Sequence, residues 1–532
     1  MGIRLAIGLL ILTAAPVLAA DTAGPPPQPA PQVMAQPQSA VSSAASGGID
    51  RAPGLSPEMW ARVRSAEPAT VDLKPGASPQ TPAKLDLREC LDLTFQHNSG
   101  FRQTLQQLIS ARRGLWVADQ RAFYSANGKG ERQQNPGGTP ATALESDATV
   151  SYQTTAGGTV TAGVGTGTQE TFSQLISQQP SLTLNYDQPI LRGAGLASST
   201  YERIRSARSA LAGQELSFYD ARQQLAQSVI GDYFAVLLAS GEVEIATRAV
   251  DRSMQLYDIN YAKFTGEGLK KPGEEWVSQV AEIDVDQARL SWERSKQNLI
   301  SQQQSYRDSM DALLLDMGFV PTGTPQLTTT ISYKPQDYDE AKLIPVALAN
   351  STQLGRLEIS RHDSLAALRI ARSQRLPDIT ASAGVTDLGE TVNGVPTTTG
   401  WFGAVRLAVP FWDRQRTETA SKAERALSVL DQQTVAARDQ VSQGMQQQVR
   451  AAISSRARID IGEQSVTLAR KNRAAAQGMY DEGLSDYLRV LDAEDRLVQA
   501  ERSLLNEQVQ YFLTTVRVRK ALGEDITQGL PE

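Results

Sequence analysis

Two stretches of this sequence decide its fold: Leu182-Thr183-Leu184-Asn185-Tyr186-Asp187-Gln188-Pro189-Ile190 and Trp401-Phe402-Gly403-Ala404-Val405-Arg406-Leu407-Ala408-Val409-Pro410-Phe411. In both, apolar side chains alternate with polar or small ones, which is typical of a β-strand with one apolar face. Both end at a proline beside an apolar residue, where a strand tends to stop. An alternation of about ten residues also matches one strand that crosses a membrane.

These stretches each complete a predicted strand pair, at about 148–190 and at about 378–411. Segments 127–140 and 387–399 carry glycine and proline and are predicted to be breaks or loops, while the glycines of 157–167 predict a turn or a loose strand. The sequence therefore predicts four strands in one chain. Strands that face lipid must close, because an open edge leaves backbone groups without hydrogen-bond partners. Four strands are too few, so the pattern predicts an oligomer that pools strands.

Two long segments without proline predict unusually long helices, Leu196–Phe264 and the segment that begins at Asp413. A helix of about 65–70 residues is about 100 Å long, which no compact soluble domain needs. Apolar residues recur at helical spacing and favour coiled-coil packing of helix against helix. Each long helix is predicted to end at a glycine-bearing turn, 263–273 or 479–487, and to return as a second helix.

The two halves of the chain repeat one order: helix, strand pair, long helix, turn and return helix. The predicted boundaries are 84–318 for the first repeat, 319–345 for a linker and 346–523 for the second repeat, with 524–532 as a short tail. The fold class is thus an α+β membrane protein with long coiled-coil helices and four strands per protomer.

The start of the chain and its composition narrow the function classes. Residues 1–20 have the charged start, apolar core and small residues of a signal peptide, and 21–80 form a leader rich in Pro, Ala and Ser that is predicted to be disordered. The net charge of −6 gives no indication of nucleic-acid binding, and the only cysteine, Cys90, is predicted to be buried. With two histidines and no catalytic motif, we expect neither an enzyme, nor a cofactor, nor a metal site.

Four further pieces of sequence carry a resemblance to a known family: Gln188-Pro189-Ile190-Leu191-Arg192-Gly193, Val409-Pro410-Phe411, Tyr480-Asp481-Glu482-Gly483-Leu484-Ser485 and Val490-Leu491-Asp492-Ala493-Glu494. In this order and spacing, the chain resembles the TolC-like outer-membrane efflux proteins over roughly 84–523. The resemblance implies a homotrimer in the outer membrane, with a shared twelve-stranded barrel that continues into a periplasmic α-helical tunnel. It also implies a periplasmic adaptor and an inner-membrane pump as partners. The function implied is passive export through a tripartite efflux or type I secretion system.

The resemblance also implies roles for residues at the periplasmic end. Acidic side chains lie near the narrow aperture in the family; Asp492 matches one such position and Arg489 occupies the other. We expect three copies of Asp492 to attract cations and Arg489 to weaken that attraction or to pair with Asp492. The residues that match the adaptor-contacting tip, or lie in the first turn, are Tyr480, Gly483, Ser485 and Gly268.

The strand pattern itself predicts which side chains line the pore. Asn185, Asp187 and Arg406 lie opposite the apolar face, and burying Asp187 or Arg406 in lipid would be costly. A water-filled lumen therefore fits this face. The competing interpretation is a periplasmic coiled-coil protein of the cell envelope without a pore, because barrel signals are weak in each single segment.

Overall fold

The structure is a computed structural model. It describes these residues: 55–66, 84–133, 141–171, 174–266, 278, 280–321, 323, 325–329, 335–388, 398–482 and 484–528. The chain divides into two units, Met1–Asp50 and Arg51–Glu532, and all described residues lie in the second. The predicted signal peptide and the tip glycines Gly268 and Gly483 lie outside the described residues.

Long helices form where the sequence lacks proline. Helix α4 (Ser199–Thr265) has 67 residues and α8 (Arg414–Asp481) has 68, so each is about 100 Å long. Ser198 and Asp413 are their N-caps, and each side chain accepts a hydrogen bond from a backbone amide of the first turn. α4 ends at Gly266, whose φ of 76° gives the left-handed helix stop that glycine favours. Both predicted long helices are therefore present.

Shorter helices complete the helical part. In the described residues they are α1 (Pro57–Ser65), α2 (Leu87–His97), α3 (Ser99–Ala118), α5 (Glu282–Met317), α6 (Glu340–Asn350), α7 (Thr352–Ser373) and α9 (Tyr487–Ala521). The return helices pack along the long ones, α5 on α4 and α9 on α8. Among the described residues, no helix combines the length and the apolar character that a membrane span requires.

The strands belong to two sheets. They are β1 (Lys84–Leu85), β2 (Ala122–Gln133), β3 (Ala141–Gln153), β4 (Thr159–Thr171), β5 (Gln174–Pro189), β6 (Gln326–Leu327), β7 (Asp378–Leu388) and β8 (Thr398–Ala408). β1 and β6 form a short parallel pair. The other six form one sheet in the order β2-β3-β4-β5-β7-β8, and every neighbouring pair in it is antiparallel.

The prediction of four strands is wrong for this chain, because the sheet contains six. The first helical segment ends at Ala118, and β2 then begins at Ala122 and occupies part of the predicted break at 127–140. β4 occupies the glycine-rich stretch that predicted a turn or a loose strand. The first half of the chain thus contributes two hairpins and the second half contributes one.

Glycine explains why β4 was hidden. A Cβ added at Gly163 would lie 2.9 Å from Thr183 Oγ1, and one added at Gly165 would lie 3.2 Å from Ser181 Oγ. These glycines let β4 lie close against β5, and a glycine inside a strand often marks such an approach. Glycine is depleted in strands, so this stretch was predicted to be a turn or a loose strand, although pairing with its neighbours makes it a regular strand.

The main core lies where α2, α4, α5 and α9 meet. It contains the fully buried Tyr233 of α4 and Met310 of α5, together with Val516 of α9. Cys90 of α2 is also fully buried, and burial raises the pKa of its thiol to about 12. The core therefore ties both repeats together near the middle of the long helices.

Part of the predicted leader is folded. Within 21–80, helix α1 buries Met59, Trp60 and Val63 against α4 and α7, and Arg62 Nη1 donates a 2.9 Å hydrogen bond to the Gly523 carbonyl. Composition alone predicted disorder here, but three apolar residues at helical spacing were enough to dock this short helix.

Candidate functional site

All helices that border the six-stranded sheet join it at the same end of its strands. α3 runs into β2, β5 leads to α4, α7 runs into β7, and β8 leads to α8. The turn between β3 and β4 lies at this same end: Ser198 Oγ, at the start of α4, donates a 2.7 Å hydrogen bond to the Thr155 carbonyl of the turn. The sheet therefore has a helical end and an opposite end.

One face of the sheet is apolar across its full width. The register aligns one residue from each strand in a single row: Tyr124, Val150, Ala162, Leu184, Val385 and Trp401. In the single chain the large side chains of this row are exposed; Trp401 is 85% exposed and Tyr124 75%. An apolar patch of this extent marks a surface that another apolar phase covers. A band of this kind is what a membrane strand presents to lipid.

The opposite face is polar across the same six strands. β2 and β3 form the added hairpin, which raises the number of strands from the predicted four to six. On this hairpin, Ser125 and Thr149 share a 2.6 Å hydrogen bond between their hydroxyls. Between β7 and β5, Ser382 Oγ donates a 2.5 Å hydrogen bond to Asp187 Oδ1. Short hydroxyl and carboxylate side chains on one face suit contact with water rather than with lipid.

The three residues predicted to line a lumen all lie on this polar face. Asp187 is opposite Ser382 in the register, Arg406 is opposite Thr380, and Asn185 is opposite Gly384. Gly384 makes room for its neighbours, because a Cβ there would clash with Asn185 Oδ1. The structure thus places all three side chains on the same face, as the sequence alternation predicted, and their place in a lumen stays a prediction.

At the far end of the long helices, α4, α5, α8 and α9 pack around two tyrosines. Tyr480 and Tyr487 are buried with ring centroids 6.1 Å apart, and the Tyr480 hydroxyl donates a hydrogen bond to Oδ1 of the buried Asn260. Lys263 Nζ lies 4.3 Å from the centroid of the Tyr480 ring and 3.6 Å from Asp481 Oδ1. Burial, followed by nearby carboxylates, raises the pKa of Tyr480 to about 12. Tyr480 therefore joins the two helical hairpins and stays neutral.

A charged cluster lies next to this aromatic contact. Glu494 of α9 accepts hydrogen bonds from Arg252 Nε of α4 at 2.8 Å and from Arg473 Nε of α8 at 2.6 Å. The Glu494 side chain is 11% exposed and that of Arg252 17%. One carboxylate therefore holds three helices together in a mostly dry environment.

Asp492 and Arg489 lie on the outer side of the same helix. Both are exposed, and Asp492 forms an ion pair of 3.0 Å with Arg496, one turn further along α9. Arg489 was predicted either to weaken the attraction of Asp492 for cations or to pair with it; the ion pair that the structure describes for Asp492 is with Arg496. Among the described residues, no group of three or more metal-binding side chains is present.

Known sequences resemble this chain. Residues 343–524 match the model of a family described as outer membrane efflux protein. Over 338 residues, the chain is 22% identical to the solvent efflux pump outer membrane protein SrpC of Pseudomonas putida, an alignment that covers 61% of this chain and 68% of SrpC. The toluene efflux pump outer membrane protein TtgI, from a strain of the same species, matches to the same extent.

Solved structures share the fold over most of the chain. The outer membrane protein VceC of Vibrio cholerae aligns with a TM-score of 0.60 at 18% identity, covering 83% of this chain and 96% of VceC. The CmeC outer membrane channel of Campylobacter jejuni aligns with a TM-score of 0.60 at 15% identity, covering 87% of this chain and 95% of CmeC. The predicted resemblance to the TolC-like outer-membrane efflux proteins is therefore confirmed, in sequence over 343–524 and in fold over most of the chain.

The match over 343–524 and the similar proteins indicate an outer-membrane protein that extends into the periplasm. Tyr480 and Ser485 lie at the free end of the helical hairpins, and Ser485 is half-buried.

Two functional positions escaped the sequence reasoning. Glu494 stands in the quoted motif, but its charge looked like one more exposed helix residue until the fold brought two arginines to it. Ser198 carried the signal of an N-cap, since a serine precedes a long helical pattern. Its second contact, to the β3–β4 turn, depends on a hairpin that the sequence did not predict.

Proposed function

We propose that this TolC-like protein is the outer-membrane exit duct of a tripartite efflux or type I secretion system, through which substrates pass without chemical change. One observation carries the proposal: a sheet with one continuous apolar face and one polar face is joined, at one end of its strands, to helices about 100 Å long. The first feature suits a membrane wall around water, and the second suits a conduit across the periplasm. SrpC and TtgI, whose names place them in efflux pumps, support this assignment.

The duct we propose is a homotrimer. A single sheet of six strands has two free edges, at β2 and β8, and free edges do not persist in lipid. Several chains must therefore join edge to edge before a water-filled wall exists. The number three follows from the family resemblance.

The free end of the helices is the proposed docking surface for a periplasmic adaptor and, through it, an inner-membrane pump. Tyr480 and Ser485 stand beside the second turn; Gly483 and Gly268 belong to the two turns but lie outside the described residues. Tyr480 acts from inside, because its buried hydroxyl holds α8 against α4 and thereby fixes the shape of the second turn.

The aperture proposal keeps Asp492 and Arg489 near the periplasmic entrance. Since Asp492 is paired with Arg496, and Arg489 is a second exposed cation on the same helix, the ring they form in a trimer has weak preference for cations. Arg489→Asp is expected to shift the reversal potential of the channel toward cation selectivity. An unchanged reversal potential would remove Arg489 from the permeation path.

Native mass and conductance test the function together. Mature protein is extracted from outer membranes in mild detergent, sized, and inserted into planar bilayers. A trimer with discrete conductance steps is the expected result. A matched pair of variants, Asp187→Asn on the polar face and Asp460→Asn on the exposed surface of α8, checks that current runs through the sheet. A detergent-free soluble monomer without conductance would instead support the envelope coiled-coil without a pore.

A further inference from the structure

We infer that all six strands of each chain are wall strands, so that three chains close a barrel of eighteen strands rather than twelve. Three copies of the six-stranded sheet supply eighteen strands. This inference rests on the proposed trimeric duct, and it changes the width of the pore and the contact between protomers. In it, β8 of one protomer pairs with β2 of the next.

Both faces of the sheet are continuous across all six strands. A hairpin outside the barrel wall would not need the apolar–polar alternation of the neighbouring strands. Yet Tyr124 and Val150, on the added strands, lie in the same row as Leu184 and Trp401. On the other face, Ser125 and Thr149 continue the polar row of Thr183. β2 and β3 therefore meet the same two environments as the rest of the sheet.

The added strands β2 and β3 are paired over their full length. β2 pairs with β3 from Ala122 to Gln133, and β3 pairs with β4 from Ala141 to Gln153, without interruption. At about 3.3 Å per residue, both ladders run for about 40 Å, which is as long as a tilted strand needs to cross a membrane. Short or frayed pairing, as expected of a flap on a rim, is not what the described strands show.

The turn between β3 and β4, which follows the added hairpin, is anchored at the start of α4. Gly195 N donates a 2.9 Å hydrogen bond to the Ala156 carbonyl, and Ser198 Oγ donates one of 2.7 Å to the Thr155 carbonyl. Gly157 adopts φ of 96°, and a Cβ there would lie 2.6 Å from the Gly193 carbonyl oxygen. The turn is thus built into the junction of β5 and α4, which holds the added hairpin in line with the wall.

The edges also suit closure. Strand direction alternates across the sheet, so β2 and β8 run in opposite directions and a β8–β2 contact between protomers is antiparallel like the others. Both edges carry large exposed apolar side chains in one row, Tyr124 and Trp401. A second copy of this chain is the occupant that fits both edges at once.

The width that results matches the helical part. Strands about 4.8 Å apart and tilted by about 40° give a circumference of about 113 Å for eighteen strands and about 75 Å for twelve. These correspond to backbone diameters of about 36 Å and about 24 Å. Each chain brings four helices to the sheet edge, α3, α4, α7 and α8, and twelve helices about 9 Å apart have a circumference of about 110 Å. A barrel of eighteen strands therefore has about the same circumference as the ring of twelve helices to which it is joined.

Cysteine pairs test which strands meet between protomers. One cysteine is placed on β2 by Tyr124→Cys. Because the shear of the barrel sets which residue of β8 lies opposite Tyr124, the second cysteine is tried at four positions along the apolar face of β8: Trp401, Gly403, Val405 and Leu407. Native Cys90 stays, since it is fully buried. The matched control repeats the β8 series with Ala162→Cys on β4. The pair Leu184→Cys and Val385→Cys, opposite each other within one chain, checks oxidation.

Eighteen strands predict covalent dimers and trimers, reversible by reductant, for at least one β2–β8 pair and for none of the β4–β8 pairs. Interprotomer products from β4–β8 would show a four-stranded contribution and overturn the inference. So would the lack of any β2–β8 product while the Leu184–Val385 pair oxidises. Conductance of the same samples separates the two proposals: a conducting trimer with β4–β8 contacts keeps the duct and rejects the wide wall, and a monomer without conductance rejects both.

Discussion

Removing the charge of Glu494 is the sharpest test of how the free end of the helices is held. Glu494 accepts hydrogen bonds from Arg252 and Arg473 at 2.8 and 2.6 Å. The side chains of all three are less than a third exposed, at 11%, 17% and 29%. Breaking a buried pair by removing one partner costs about 3–5 kcal/mol, because a charge is left without compensation. Partial exposure of Arg473 lets water replace some of this, so we expect a cost of about 3 kcal/mol for Glu494→Gln.

Hydrogen exchange measures this cost where it acts. A loss of about 3 kcal/mol in local stability corresponds to about 100-fold faster exchange of amides that open by local unfolding. We expect this acceleration in peptides that cover 470–481 of α8 and 487–498 of α9. Peptides from the core near Tyr233 should exchange as in the wild type.

Asp492→Asn is the matched control, since it removes one negative charge two residues away on the same helix. Its ion pair with Arg496 is largely exposed and contributes at most about 1 kcal/mol, so exchange should change by at most about fivefold. A second variant, Glu494→Met with Arg252→Met, removes both buried charges and should recover most of the protection. Equal exchange in Glu494→Gln and Asp492→Asn would refute the reasoning.

Three further predictions address the junction, the core and the tip. Ser198→Ala removes both the cap of α4 and the hydrogen bond to the Thr155 carbonyl. We expect the free energy of unfolding to fall by about 1–2 kcal/mol in a melt of the detergent-solubilised protein, and Ser198→Thr should keep most of the wild-type stability. Burial and the neighbouring Asp316 raise the pKa of Asp232 to about 7, so the folded state favours the protonated acid. Its contribution to stability is present below the unfolded pKa of about 4 and is lost as the pH rises through about 7. A melting temperature that falls between about pH 4 and 7 in the wild type but not in Asp232→Asn would confirm this sign. Tyr480→Phe leaves a buried amide oxygen unpaired and should cost about 1–3 kcal/mol, and an unchanged melting temperature would show that this hydrogen bond is dispensable.

The sequence predicted the helical part well because its signals are strong and local. Proline is absent over the whole of α4 and α8, apolar residues follow the helical period, and Gly266 and Gly318 end helices in left-handed conformations. The alternation around Leu184 and Val405 likewise predicted the correct apolar face. Each of these features is decided within a few residues of itself.

Strand β4 was predicted only as a turn or a loose strand. β4 carries glycine at 163, 165 and 167, and its side chains are small where Thr183 and Ser181 approach. What makes it a strand is pairing on both sides with β3 and β5, and no local pattern records this. The same holds for Glu494, whose role depends on Arg252, a residue 242 positions away in the sequence.

The glycines of the β3–β4 turn allow this turn to be anchored at the junction of β5 and α4. A strand inserted between α3 and β5 must return to the helical end, and its turn then competes for space with the start of α4. Gly157 and Gly158 remove the side chains that would clash there; a Cβ at Gly158 would collide with Gln188 Oε1. Ser198 then uses one hydroxyl twice, as acceptor for the helix and as donor to the turn. Because the wall is widened without moving the start of α4, a chain can gain two strands and keep its helical conduit unchanged.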